Sequence, residues 1–98
     1  MEPSRNRSTV IVLHTPLTNP AKLDSFVEDC LQDGVPLIAV AGPDAAIIEE
    51  TIDEIVVGDG SQADRFVMTS SHAGEPIEAV IGFASSWDGG SEVWEVRL

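Results

Sequence analysis

The stretch VIVLHTPLTNPAKLDSFVEDCLQDG, residues 10–34, carries the pattern that decides the fold. It begins with Val10–Leu13, a continuously apolar and mostly β-branched run of the kind found in strands that are buried on both faces of a parallel sheet. Asn19 and Pro20 are typical of an N-cap followed by proline at the first helical position. Apolar residues then recur at helical spacing, at Leu23, Phe26, Val27, Cys30 and Leu31. A buried strand followed by an amphipathic helix over 20–33 is therefore predicted.

An apolar run followed by a helical pattern occurs twice more downstream. Residues 35–41 predict a second strand, and a helix over 43–57 follows it. The inward stripe of this second helix is predicted to consist of Ile47, Ile48, Thr51, Ile52, Ile55 and Val56. Phe66–Met68 predicts a short third strand, and residues 76–87 a third helix. The alternating segment 92–98 predicts a fourth strand with one wet face, as at a sheet edge.

Strands that alternate with helices predict an α/β fold, namely a three-layer α/β/α sandwich with a four-stranded, mostly parallel sheet. A rival interpretation pairs residues 78–98 as a β-hairpin. Two strand orders remain open: a flavodoxin-like 2-1-3-4 and a half-Rossmann 3-2-1-4. Pro36, near the start of the second strand, favours an edge position for that strand and hence 2-1-3-4. The predicted core comprises Leu13, Phe26, Val27, Ile38, Val40, Ile52, Val67, Ile81 and Trp94.

The length of 98 residues predicts a single domain over residues 8–98, preceded by a disordered tail at residues 1–7. The single cysteine, Cys30, allows no internal disulfide and favours a reducing compartment. The sequence shows no secretory signal and no apolar segment of membrane-spanning length, so a cytoplasmic location is expected.

The net charge of −12 indicates which partners suit this chain. Residues 23–64 contain eleven acidic residues and no Lys or Arg. Nucleic acids and anionic membrane surfaces require a basic patch, so neither is expected as a partner. The acidic excess is typical of solvated helix faces that keep a protein in solution. The alternative is an acidic docking surface for a basic protein partner, because complementary charge steers association.

Ligands of open parallel sheets bind beyond the carboxyl ends of the strands, so polar residues that follow the predicted strands are candidate ligand-binding residues. They are His14, Thr15, Thr18, Asn19, Asp44, Ser70, Ser71 and His72. In order 2-1-3-4 the loops after strands 1 and 3 are adjacent, and His14, His72 and Asp44 would then be able to share a metal ion. In order 3-2-1-4 a strand separates the two histidines, and that site is not expected.

Other chemistries find weaker support. Ser70 or Ser71 beside His72 supplies the residue types of a nucleophile and base, but adjacent side chains on a turn rarely align, and no G-x-S-x-G motif is present. Neither a Walker A motif nor a G-x-G-x-x-G motif after a strand occurs, so no cofactor is identified. The leading hypothesis is a non-catalytic protein-binding or regulatory module. The alternative is a small-ligand or metal-dependent enzyme with its site at the ends of strands 1–3.

Overall fold

The computed structural model describes residues 9–58, 67–87 and 92–98, and the elements in these ranges alternate strictly between strand and α-helix. They are β1 (Thr9–His14), α1 (Leu23–Asp33), β2 (Leu37–Ala41), α2 (Ala45–Val57), β3 (Met68–His72), α3 (Ile77–Ser86) and β4 (Glu92–Arg97), with a 3-10 turn at Pro20–Lys22 ahead of α1. All strand pairs are parallel. The predicted three-layer sandwich is confirmed, whereas the predicted tail at residues 1–7 lies outside the described residues.

The sheet order is β3-β2-β1-β4, so the preference for order 2-1-3-4 was wrong. Pro36 lies just before β2 rather than within it, and its missing N–H therefore costs the sheet no hydrogen bond. Its carbonyl instead accepts a hydrogen bond from the backbone N–H of Met68 at 2.9 Å, which ties the start of β3 to β2. A proline directly ahead of a strand thus leaves that strand free to occupy an interior position.

Two apolar cores lie on opposite faces of the sheet, because successive side chains of β1 and β2 alternate between them. Ile11, Leu13, Ile38 and Val40 face α1 and α2, while Val10, Val12, Leu37, Ala39 and Ala41 face α3. Every residue of β2 and all but the last of β1 are buried, as expected for interior strands of a parallel sheet. We call these two sides the α1/α2 face and the α3 face.

Seven of the nine predicted core residues are buried, and Ile81 and Trp94 are half-buried. Trp94 packs against the α1/α2 core from β4, which is an edge strand as predicted. The third helix is present at Ile77–Ser86, so the rival hairpin over 78–98 is excluded. The inward stripe of α2 needs one correction, since the side chain of Ile47 is 65% exposed.

The third strand was predicted at Phe66–Met68, of which Phe66 lies outside the described residues. The observed β3 begins only at Met68 and extends to His72. Its residues are mostly polar, which led the sequence analysis to place them in a loop after the strand. An edge strand keeps part of its surface in water, so hydroxyl groups there cost little. Thr69, for example, donates a hydrogen bond to the carboxylate of Asp53 on α2 at 2.7 Å.

Candidate functional site

Three polar side chains and one alanine form a row across the α3 face at the carboxyl end of the sheet. Ala41 of β2 is paired on one side with His14 of β1 and on the other with His72 of β3. His14 is paired in turn with Arg97 of β4. Because residues in register across a sheet point to the same face, all four side chains lie at one level on the side that carries α3.

The two histidines are separated by Ala41, which puts their backbones two strand spacings apart, or roughly 10 Å. Asp44 precedes α2 and therefore belongs to the helix layer on the opposite side of the sheet. Among the described residues, no group of three or more His, Cys, Asp and Glu side chains is placed to hold a metal ion. The observed order thus removes the adjacency on which the shared metal site of His14, His72 and Asp44 depended.

His72 lies at the centre of a hydrogen-bonded chain of three side chains. Its Nε2 is 2.8 Å from Oγ of Ser70, and its Nδ1 is 2.9 Å from Oε2 of Glu75. An ionised carboxylate only accepts hydrogen bonds, so Nδ1 carries the proton that is donated to Glu75. In the neutral imidazole, Nε2 is then the acceptor for the hydroxyl hydrogen of Ser70. His72 is 8% exposed, and its ring lies against Phe83 of α3, with a distance of 5.0 Å between ring centroids.

Ser70 and His72 meet because they are two residues apart on one strand, where alternation places both on the same face. The expectation that such neighbours do not align was therefore wrong, since it rested on placing them in a turn. Ser71, between them, points to the α1/α2 side and is exposed. Glu75 reaches His72 from the tight turn that follows, in which the N–H of Glu75 donates to the His72 carbonyl at 3.3 Å.

His14 makes a separate contact, in which its Nε2 lies 3.0 Å from Oε1 of Glu95. Glu95 is paired in register with Val12 and so lies on the α3 face, one level behind His14. Sequence reasoning missed both carboxylates, Glu75 and Glu95. The strict alternation of β4 already indicates that the side chains of Glu95 and Trp94 lie on different faces of the sheet. The contact of Glu95 with His14 could not be predicted, because it depends on the strand order.

Thr15 joins the loops that follow β1 and β2. Its N–H and its hydroxyl both donate to the carbonyl of Ala41, each at 2.8 Å. The same hydroxyl accepts a hydrogen bond from the N–H of Asp44 at 3.3 Å. Asp44 is the N-cap residue of α2, but its own side chain makes no capping hydrogen bond. Thr15 therefore helps to cap α2 from another loop.

Thr18 and Asn19 use their backbones rather than their side chains. Both N–H groups donate to the carbonyl of Leu98, at 2.6 and 3.0 Å. This contact lies between the ends of β1 and β4, where the strand order reverses and ligands of such sheets normally bind. Asn19 occupies the N-cap position of the 3-10 turn and Pro20 is its first residue, as predicted, but the Asn19 side chain makes no capping hydrogen bond.

The helix layer formed by α1 and α2 is acidic. These helices contain eight Asp and Glu residues and no Lys or Arg. On α2, Ile47, Glu50, Glu54 and Val57 are spaced so that they share one outward side, which we call the α2 outer stripe. Ile47 is 65% and Val57 62% exposed, and both glutamates are exposed as well. Sequence reasoning assigned Ile47 to the core and so missed the apolar part of this stripe.

A four-stranded parallel sheet in this order, with helices on both faces, places the chain in the class of three-layer α/β/α proteins. The chain belongs to the family described as Domain of unknown function (DUF7684), whose model matches residues 1–89. No curated protein and no solved structure matches it. Across residues 9–58, 67–87 and 92–98, none of the helices combines the length and apolarity needed to traverse a bilayer.

Proposed function

We propose that this protein is a binding or regulatory module that engages a basic protein partner through the outer surface of α1 and α2. The observation that carries the proposal is the α2 outer stripe, in which two large apolar side chains stand exposed among carboxylates. Single exposed apolar residues are common on protein surfaces. The α2 outer stripe is more specific, because two exposed apolar side chains share one helix face with Glu50 and Glu54. Apolar area that a partner can bury therefore coincides with negative charge.

The dimensions of the stripe suit a helix-sized contact. Ile47 and Val57 are ten residues apart, which corresponds to roughly 15 Å along the helix. Partner contacts at these two residues would bury apolar area, while Glu50 and Glu54 between them would select a partner with positive charge. The acids of α1 extend the negative field beyond the stripe and would accelerate encounter at low ionic strength.

The chemistry of the partner follows from this pattern. It is a protein that presents Lys or Arg side chains around an apolar patch, since nucleic acids and anionic membranes share the sign of this surface. We place the interaction in the cytoplasm. Cys30 is buried and is the single cysteine of the sequence, so no disulfide can form within the chain, which suits a reducing compartment.

The test begins with immobilised chain and the soluble extract of the source cells. Captured proteins are identified by mass spectrometry, produced in pure form and titrated against the wild type by calorimetry. The decisive comparison is between Glu54→Lys, in the stripe, and Glu78→Lys, on α3 at the opposite side of the sheet. Both variants change the net charge equally, so a difference between them reports the location of the surface.

We expect a purified basic partner whose affinity falls at least tenfold with Glu54→Lys and with Ile47→Ala, and changes little with Glu78→Lys. Its affinity should also fall steeply as salt is raised from about 50 to 500 mM. Equal affinities across these variants would refute the proposal. So would replacement of Glu49, Glu50, Asp53 and Glu54 by Gln without any loss of binding.

A further inference from the structure

We propose that Ser70 is a nucleophile for acyl transfer, activated by His72 and acting on esters of small apolar carboxylic acids. The chain Ser70–His72–Glu75 has the connectivity that this chemistry requires. The hydroxyl faces one imidazole nitrogen at 2.8 Å, and a carboxylate holds the other at 2.9 Å. This arrangement of nucleophile, base and orienting acid recurs on unrelated folds and is defined by geometry rather than by sequence order.

The surroundings of His72 favour this role over that of a solvated histidine. The imidazole is nearly buried, and Phe83 covers part of it, so the ring is held in the orientation that points Nε2 at Ser70. Glu75 fixes the tautomer, because its carboxylate requires the proton on Nδ1. Ser70 itself is half-buried, so its hydroxyl retains access to a reactant.

The exposed apolar side chains beside the Ser70–His72 pair indicate the substrate class. Met68 lies two residues before Ser70 on the same face of β3 and is 46% exposed, and Phe83 is 39% exposed. Since α3 packs over β1, β2 and β4, the α3 face of β3 is left partly open. An acyl group that is short and apolar would gain contact with these two side chains. A charged acyl group would not.

The reaction has two balanced steps. The Ser70 Oγ attacks the ester carbonyl carbon as its proton passes to Nε2 of His72, and the carbon–oxygen bond to the leaving alcohol breaks while that proton is returned to the alcohol oxygen. Water then attacks the acyl-serine, giving up a proton to Nε2, and the carboxylic acid leaves as Ser70 is reprotonated. His72 and Ser70 are the catalytic residues. Glu75 is a positioning residue, because it acts through the ring.

The test uses the full chain, a fluorophosphonate probe read by intact mass and peptide mapping, and p-nitrophenyl butyrate as the ester. We expect one adduct, on Ser70, and an ester hydrolysis rate that exceeds the background rate. Ser70→Ala should abolish both. Ser71→Ala is the matched control, since that serine lies on the other face, and it should leave both unchanged. His72→Ala should lower the labelling rate about 100-fold or more.

Glu75→Gln tests the positioning role. The maximal labelling rate should fall at least tenfold, while the probe concentration that gives half of that rate stays unchanged, because binding of the probe does not involve the carboxylate. Circular dichroism and thermal unfolding establish that each variant is folded. The proposal is overturned if folded wild type forms no adduct, or if Ser70→Ala is labelled as fast as wild type. Labelling that is indifferent to loss of His72 would also overturn it.

Discussion

A Cβ atom on Gly42 would lie 2.5 Å from the backbone oxygen of Thr15 and 2.5 Å from its Oγ1. Gly42 also has a φ of +108°, a conformation that side chains with a Cβ rarely adopt. We therefore expect Gly42→Ala to lower the free energy of unfolding by at least about 1–3 kcal/mol, measured by chemical denaturation. The loss combines backbone strain with displacement of the loop that follows β1.

Gly82 supplies the control for this substitution. It lies in α3, and a Cβ there would meet nothing within 4 Å. Gly82→Ala should stabilise the protein by about 0.5–1 kcal/mol, because alanine loses less backbone entropy in a helix. If Gly42→Ala and Gly82→Ala changed the free energy of unfolding equally, the close approach of Gly42 to Thr15 would not contribute to stability.

The hydroxyl of Thr15 offers a second prediction. Thr15→Ala removes the acceptor for the Asp44 N–H at the start of α2 and one donor to the Ala41 carbonyl. A loss of about 0.5–2 kcal/mol is expected, as for other helix caps. Thr15→Ser keeps the oxygen and should retain most of the stability, so urea denaturation of the pair separates the hydroxyl from the methyl group. If Thr15→Ser and Thr15→Ala lost the same stability, the effect would come from packing of the Thr15 methyl group and not from its hydroxyl.

Two isoleucines of α2 should differ sharply although they are chemically identical. Ile52 is fully buried in the α1/α2 core, whereas Ile47 is 65% exposed. Ile52→Ala should cost about 2–5 kcal/mol of unfolding free energy. Ile47→Ala should change it by less than about 0.5 kcal/mol, so that any loss of partner binding in that variant is a surface effect. A large loss of stability with Ile47→Ala would show that it packs in the core.

Charge reversal should affect stability with opposite signs on two helices. Glu54 lies in the last turn of α2, which lacks a basic residue, and Glu78 lies in the first turn of α3. Glu54→Lys should be more stable than Glu78→Lys by about 1 kcal/mol, because the helix dipole favours a cation at the C-terminus and an anion at the N-terminus. Thermal unfolding at low ionic strength measures the difference, and salt should reduce it. No difference would mean that both helix ends are effectively screened.

The layers of this fold could be predicted from the sequence because burial imposes two clear periodicities. Leu13 and Val40 belong to uninterrupted apolar runs, and the helical faces recur at a spacing that strands do not show. The limits of β3 could not be predicted in the same way. Its polar segment at residues 69–72 extends along an edge, where β2 pairs with one side of the backbone, water can reach the other side, and apolar side chains are not required.

The candidate site was predicted in composition but not in arrangement. His72 and Ser70 were both identified, yet their contact depends on a strand in which they share a face. His14 and His72 were expected to approach each other only in one of two strand orders, and a proline outside its strand cannot decide between those orders. Glu75 and Glu95 were not identified from the sequence, because their hydrogen bonds to His72 and His14 become visible only in the folded structure.

The pairing of β1 with β4 has a consequence for synthesis of the chain. His14 and Glu95 touch across 81 residues, and translation at 5–20 residues per second separates their appearance by roughly 4–16 s. During that interval one hydrogen-bonding edge of β1 is unoccupied, although β1 becomes an interior strand of the finished sheet. The nascent protein therefore presents a largely apolar strand to chaperones and to neighbouring chains until residues 92–97 have left the ribosome.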